Sequence, residues 1–409
     1  MPKTKILNDP IYGFIDLPPG IIIELIDHPY FQRLRRIKQL GLTDYVYPGA
    51  IHTRFHHAVG AMHLMSKTLE MLRKKGVEIS NEEFEASLIA ILLHDIGHGP
   101  FSHALEFSLL ENIKHESISY LLMKYFNEYF DHKLSLALKI FRDSYERKFF
   151  HQLVSSQLDM DRLDYLARDS FYTGVSEGKV GVERIIKMLN VKDDRVVVEE
   201  KGIYSVENFL NARRLMYWQV YLHKTSVATE KMLILLINRA KLLAQSGETV
   251  MASQPLSLFL NHSKSLEDFQ GNDEVLKSFS LLDDYDIWGS IKMWYHHKDH
   301  ILSMLSAMLL ERKLFRVKLS AEAVQKAEIK QLKTKVADTF QILRKDTRYF
   351  VSHGEVSNEA YLSGGNRIDV LRKTGEVVDV AQASDLPNIL AMSKIVKKNY
   401  LCWPKNVSL

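Results

Sequence analysis

Residues 80–103, SNEEFEASLIAILLHDIGHGPFSH, decide the fold. Ser80 and Glu83 stand at capping-box spacing, which satisfies the first free amides of a helix. Phe84, Leu88, Ile89, Ile91, Leu92 and Leu93 then place apolar groups on every side, the pattern of a helix buried in the middle of a core. That helix delivers His94 and Asp95 at its end, just ahead of a Gly97-His98-Gly99-Pro100 break. Burying either group without a partner costs on the order of several kcal/mol, and a metal ion would offset that cost.

The helical texture extends in both directions. Glycine and proline, 19 and 10 of 409 residues, fall well below their average share, so helix punctuation is sparse. Apolar spacing predicts helices over roughly 29–39, 57–74, 115–126, 206–244 and 285–312. Val196-Val197-Val198 followed by Ile203-Tyr204 reads as a small hairpin, as does 367–380 around Lys373-Thr374-Gly375-Glu376. The stretch 246–273, rich in Ser, Gly, Asn and Gln, reads as a loop or insertion. Residues 1–318 and 319–409 differ in texture, so the expectation is a mainly α core with small β-hairpins, followed by an α+β C-terminal region.

Composition narrows the function classes. Hydrophobic residues at 46% and charged residues at 25% suit a folded soluble chain, and apolar stretches such as 86–93 fall well short of a membrane span. The single cysteine, Cys402, cannot form an intrachain bridge, and no signal-like segment opens the sequence. A reduced, cytoplasmic protein is expected. The net charge of +4 permits an anionic partner; nucleic acid is not indicated.

The residues that carry chemistry are His57, His94, Asp95 and Asp161, with His98, His103 and His115 around them. Imidazole nitrogens and carboxylate oxygens suit first-row divalent metals, and a two-His, two-Asp set leaves positions open for water or phosphate oxygens. Singly, each histidine reads as an ordinary core residue; the set is more specific. His296, His297 and His300 lack a matching carboxylate pair and read as structural.

From these residues outward the chain resembles the HD-domain metal-dependent phosphohydrolases, and within them the deoxynucleoside triphosphate (dNTP) triphosphohydrolases. The landmarks are Asn8-Asp9-Pro10-Ile11-Tyr12-Gly13, Phe31-Gln32-Arg33-Leu34-Arg35, Ile37-Lys38-Gln39-Leu40-Gly41, Thr53-Arg54-Phe55-His56-His57, the 94–103 run, Asp159-Met160-Asp161-Arg162-Leu163-Asp164-Tyr165 and Tyr221-Leu222-His223-Lys224. The resemblance implies an HD-domain helical core and a divalent ion (Mn, Fe, Mg, Zn or Ni) held by His57, His94, Asp95 and Asp161, with His52 and His56 beside the ligand positions. It implies hydrolysis of dNTPs to deoxynucleoside and inorganic triphosphate. His103 would be the general acid oriented by Glu106, where the family often has Asp, with His98 and His115 as further donors. Arg54, Arg162 (commonly Lys in the family) and Arg213 would neutralise the triphosphate, and Gln39, Tyr165, Asp169 and Tyr221 would surround sugar and base.

In regulated members an activating nucleotide bridges protomers. The corresponding positions are Lys5, Asn8, Asp27, Gln32, Arg35, Arg184, Lys201, His223, Lys224, Arg312 and Arg316, with Asp27 facing a guanine edge and Glu199 departing from a basic residue. A homodimer or homotetramer is implied. Two alternatives stay open: an HD hydrolase of another nucleotide phosphate ester, and a non-catalytic nucleotide- or nucleic-acid-binding protein.

Overall fold

The computed structural model describes residues 5–101, 103–106, 108–110, 113–357, 367–386 and 396–408. Its centre is helical: α1 (Arg54–Lys74), α2 (Asn81–Leu93), α3 (His103–Glu106), α4 (His115–Tyr129), α5 (Met160–Thr173), α6 (Ile203–Met216), α7 (Lys224–Gln245), α8 (Asp284–Trp294) and α9 (His300–Leu310), with shorter helices between them. The apolar helix is α2, buried from Ala86 to Leu93. Its capping box forms as the sequence requires: Ser80 Oγ accepts from the Glu83 amide at 3.1 Å, and Glu83 Oε2 accepts from the Ser80 amide at 2.8 Å. α1 packs against both α2 and α5, and this trio carries the site. No helix among the described residues is long and apolar enough to cross a membrane.

Among the described residues nine strands form three small sheets. β1 (Lys5–Asp9) and β2 (Gly13–Leu17) make an antiparallel hairpin; β3 (Leu189–Lys192), β4 (Arg195–Glu199), β7 (Asp369–Leu371) and β8 (Val377–Asp379) form the second sheet; β5 (Phe315–Ser320), β9 (Lys397–Pro404) and β6 (Ser352–Ser357) the third. The 367–380 hairpin is present as β7 and β8, and β7 adds in parallel to β4, Val198 beside Val370. β5 runs through residue 318, so the division proposed there falls within a strand.

Several predicted elements differ in detail. Val196–Val198 pairs backwards with β3, not forwards with Ile203-Tyr204, because Asp193 and Asp194 adopt positive φ (49° and 58°) and supply a tight hairpin turn. Ile203 instead opens α6. The 206–244 helix is interrupted: a π-helical turn at Tyr217–Tyr221 follows α6, and His223 caps α7 by accepting from the Thr225 amide at 3.1 Å. The 285–312 helix divides where Asp299 Oδ1 accepts from the Leu302 amide at 2.8 Å and also binds Arg239. The 246–273 stretch contains helices Gln254–Asn261 and Leu266–Gly271, and two of its serines, Ser253 and Ser265, are their N-caps. Over 29–39 the chain tightens into Pro29–Gln32 and a 3-10 turn Arg33–Arg36, because the fully buried Arg33 guanidinium donates to the Ile96 and Leu282 carbonyls at 2.8 and 3.1 Å.

Candidate metal centre and active-site cavity

Helix ends converge on one point. Thr53 and His56 cap α1, placing His57 in its first turn. His94 continues the helical backbone at the C-terminal end of α2, with Asp95 next to it. Asp159 caps α5, accepting from the Arg162 amide at 2.7 Å, and Asp161 sits in the first turn, where the helix dipole favours a carboxylate. Ligand-type atoms of His57, His94 and Asp161 lie within 4.8 Å of one another. Asp95 stands beside them, its oxygens 3.7 Å from His57 Nε2 and 3.5 Å from His94 Nε2, and falls in a second such group with His98 and His115.

Both histidines turn Nε2 toward the carboxylates. His94 Nδ1 donates to the Ile91 carbonyl at 2.6 Å, and a carbonyl only accepts, so Nε2 is the nitrogen left for a proton or a cation. His57 Nδ1 lies 2.8 Å from Asp164 Oδ2, which sets the same tautomer. The two Nε2 atoms are buried and have no hydrogen-bond partner; His57 Nε2 is 3.0 Å from Asp161 Oδ1 without the alignment of a hydrogen bond. Buried nitrogens left bare while facing two carboxylates fit a divalent cation.

The charges explain one another. Burial pulls the His57 imidazole down, but the carboxylates of Asp161 and Asp164 carry it up to about 10. Burial opposes ionisation of Asp161 and Asp95, yet the neighbouring histidines, with Arg54 for Asp95, hold both well below the usual carboxylate range. Burial, with Arg54 and His115 beside it, pushes His98 well below its ordinary value and keeps it neutral.

A cavity of about 530 Å³ opens on this centre, a size ordinary for a small-molecule site. Gln39, Arg54, Asp95, His98, His115, Asp161, Arg162, Tyr165, Asp169 and Tyr221 all line it. Arg54 is paired with Asp95, and Arg162 with Asp159. Asp169 is held from both sides, by His52 Nε2 and the Tyr221 hydroxyl, each at 2.7 Å. His98 and His115 stack with ring centres 3.7 Å apart.

A family model described as the HD domain matches residues 54–169, and one described as the HD associated region matches 180–252. A phosphohydrolase from Bacteroides thetaiotaomicron is similar in structure, with TM-score 0.95 and 51% identity over 98% of this chain and 100% of that one. An uncharacterized protein of Bacillus subtilis is 35% identical over 321 residues, 77% of this chain and 72% of its own. The chain belongs to the HD-domain phosphohydrolases. A Dictyostelium discoideum protein named deoxynucleoside triphosphate triphosphohydrolase SAMHD1 homolog is 33% identical over 251 residues, and the alignment spans about half of that relative, 48%.

Other expected site residues of this HD-domain phosphohydrolase are placed as follows. Glu106 Oε1 accepts from the His115 amide at 2.8 Å and lies 3.3 Å from its ring nitrogen; the His103 backbone opens α3, but its side chain lies outside the described residues. Arg213 binds Gln157 at 2.9 Å and is absent from the cavity lining among the described residues. His56 turns back to accept from the Thr53 amide at 3.1 Å. His297 Nδ1 accepts from the Asp299 amide at 2.9 Å, in the turn between α8 and α9.

The regulatory set does not gather at one place within the chain. Lys5 pairs with Asp27, and Arg35 donates to Gln32 at 2.9 Å. Arg184 binds the Lys201 carbonyl at 3.3 Å, in the region where Glu199 pairs with Lys75 at 2.7 Å. Arg312 donates to the Tyr45 carbonyl at 2.8 Å, Arg316 lies on β5, Asn8 on β1, and His223 with Lys224 at the start of α7.

Sequence reasoning missed Asp164, Arg168, Gly60 and Asp284. The i, i+4 spacing of Asp164 and Arg168 was a usable signal. Asp284 accepts from the amides of Lys38 and Phe101 at 2.9 and 2.8 Å, partners far away in sequence that no local pattern announces.

Proposed function

We propose that this chain hydrolyses deoxynucleoside triphosphates to deoxynucleoside and inorganic triphosphate. What carries the reading is the pair of buried Nε2 atoms without hydrogen-bond partners that face Asp95 and Asp161, the two carboxylates lining a cavity of about 530 Å³. His57, His94, Asp95 and Asp161 would hold a divalent ion. Bound there, such an ion supplies Lewis acidity, lowering the pKa of water and drawing charge from phosphoryl oxygens. In the reaction a water oxygen bonds to the α phosphorus, the bond from that phosphorus to the 5′ oxygen breaks, and the leaving oxygen needs a proton. His103 gives that proton, and Glu106 and His115 are tied to each other at 3.3 Å. Neutral His98 donates or accepts without repelling the arginines. Arg54 and Arg162, both in the cavity lining, offset phosphate charge, Tyr165 and Tyr221 pack on the sugar, and Gln39 and Asp169 bind its hydroxyl edge.

A guanine nucleotide would act as regulator between subunits of a homodimer or homotetramer. The Lys5–Asp27 and Arg35–Gln32 pairs support one half of such a site, and the Arg184–Lys201 contact the other. The discriminating experiment incubates metal-loaded protein with single and mixed dNTPs and resolves triphosphate, pyrophosphate and phosphate. Triphosphate with free deoxynucleoside is expected. Pyrophosphate or phosphate would transfer the reading to another phosphate ester, and binding without product would make the chain a sensor.

A further inference from the structure

His57 owes its bare Nε2 to a chain of buried charges that begins outside the catalytic helices. Asp164 Oδ2 receives His57 Nδ1 at 2.8 Å, and Arg168 grips the same carboxylate twice, Nε to Oδ2 at 3.0 Å and Nη2 to Oδ1 at 2.9 Å. The third arm of Arg168, Nη1, reaches Asp9 Oδ2 at 2.7 Å. Asp9 is the last residue of β1, and its other oxygen accepts the amides of Ile11 and Tyr12 at 2.9 and 3.0 Å, which shapes the turn of the β1–β2 hairpin. The Tyr12 ring closes over the guanidinium, 5.6 Å from it. His57, Asp164 and Arg168 are completely buried, and none of Asp9, Asp164 and Arg168 lines the cavity.

The charges make Asp9 more than a strut. Arg168 alone would neutralise Asp164 and weaken it as an acceptor for His57. With Asp9 on the far side, the group of three keeps one net negative charge facing the imidazole, which holds Nδ1–H in place and makes Nε2 the stronger donor to a cation. Gly60, one turn after His57 on α1, leaves the room this requires: a Cβ there would lie 2.1 Å from both Arg168 Nη2 and Asp164 Oδ1.

We propose that the N-terminal hairpin is a working part of the metal centre, with Asp9, Arg168 and Asp164 as positioning residues that orient and electronically tune His57 through two buried ion pairs and one buried hydrogen bond. The inference rests on the metal assignment above and not on the nucleotide, so the two fail separately. Mn²⁺ titrated into the metal-free full chain by calorimetry is the test, with thermal melting of the metal-free proteins alongside. Asp9→Asn, which removes a charge while keeping shape, should weaken Mn²⁺ by about tenfold and Asp164→Asn by about ten- to a hundredfold, the range for partners of metal ligands. Asp16→Asn, on the exposed face of the same hairpin, should change nothing. A merely structural Asp9 would lower the melting temperature and leave Mn²⁺ affinity where it was, and that result overturns the proposal. Should Asp9→Asn not fold, the wild-type chain decides. Coupling is reciprocal, so Mn²⁺ must slow hydrogen exchange across residues 5–17; exchange there unchanged by Mn²⁺ would also overturn it. A wild-type chain that takes up no Mn²⁺ overturns the metal assignment and this inference together.

Discussion

Replacing Gly60 by alanine should destabilise the protein, against the usual rule for the middle of a helix. Alanine is favoured over glycine there by about 1 kcal/mol. At this position the new methyl would stand 2.1 Å from Arg168 Nη2, 2.1 Å from Asp164 Oδ1 and 2.9 Å from Asp164 Cγ. Contact distance requires those groups to retreat by about 1 Å or more. They cannot do so freely, because the guanidinium and carboxylate hold each other at 2.9 and 3.0 Å and each has a further buried partner, Asp9 and His57. Overpacking costs about 1–3 kcal/mol, and opening a buried ion pair about 3–5 kcal/mol. The two costs overlap, since one displacement relieves both, so after the helix-propensity gain a net loss of about 2–4 kcal/mol is expected. Urea unfolding of metal-free wild type and Gly60→Ala, followed by circular dichroism, measures it. A variant as stable as wild type, or more so, would refute the close packing of the relay against α1.

Three further outcomes are expected. His94→Ala and Asp161→Ala should each lose bound divalent metal and hydrolysis while keeping helical content, checked by elemental analysis and circular dichroism; full metal occupancy in both would sink the ligand assignment. His103→Ala should keep metal yet lose on the order of a hundredfold in turnover, the scale of a positioned acid, and unchanged turnover would shift that role to another side chain. Asp284 is pushed up to about 6 by burial, against the amides of Lys38 and Phe101. The folded state therefore holds this proton more tightly than the unfolded chain, and the stability the carboxyl contributes is full below about pH 4 and declines up to about pH 6. Measured against Asp284→Asn, wild type should lose about 2 kcal/mol of relative stability between pH 4 and pH 7, and a gap independent of pH would contradict the burial argument.

What the sequence disclosed and what it hid follow from the range of the interactions involved. The α2 helix was legible because its capping box and apolar run are local, and His94 with Asp95 came with it. The helix divisions at Leu222-His223 and at residues 295–299 were not, because apolar spacing continues across both and the caps that end each helix are single side chains, His223 and Asp299. The serines of 246–273 were visible, but a cap and a loop use the same residue types. Among site residues, His57, His94, Asp95 and Asp161 stood out by chemistry. Asp9 and Asp164 were present in quoted motifs without a role, since what gives them one is Arg168, and the contact of Arg168 with Asp9 joins residues 159 positions apart.

The distribution of arginines says where a cation belongs. Each carboxylate buried around the cavity has a partner: Asp95 has Arg54, Asp159 has Arg162, Asp164 and Asp9 share Arg168, and Asp169 is held by His52 and Tyr221. Asp161 faces two histidines and no arginine or lysine at ion-pair distance among the described residues. A half-buried carboxylate answered only by imidazoles whose outer nitrogens are already fixed as donors takes its counter-charge from protons on Nε2 or from a cation. In the metal-free chain protons on the imidazoles satisfy it, since Asp161 and Asp164 carry His57 up to about 10; a divalent ion would take the place of those protons while using both Nε2 atoms and Asp95 at once. The pairing that saturates Arg54 and Arg162 has a second consequence. With one carboxylate each already engaged, they bring less than a full positive charge to an anion entering the cavity, and a cation beside Asp161 would supply the rest.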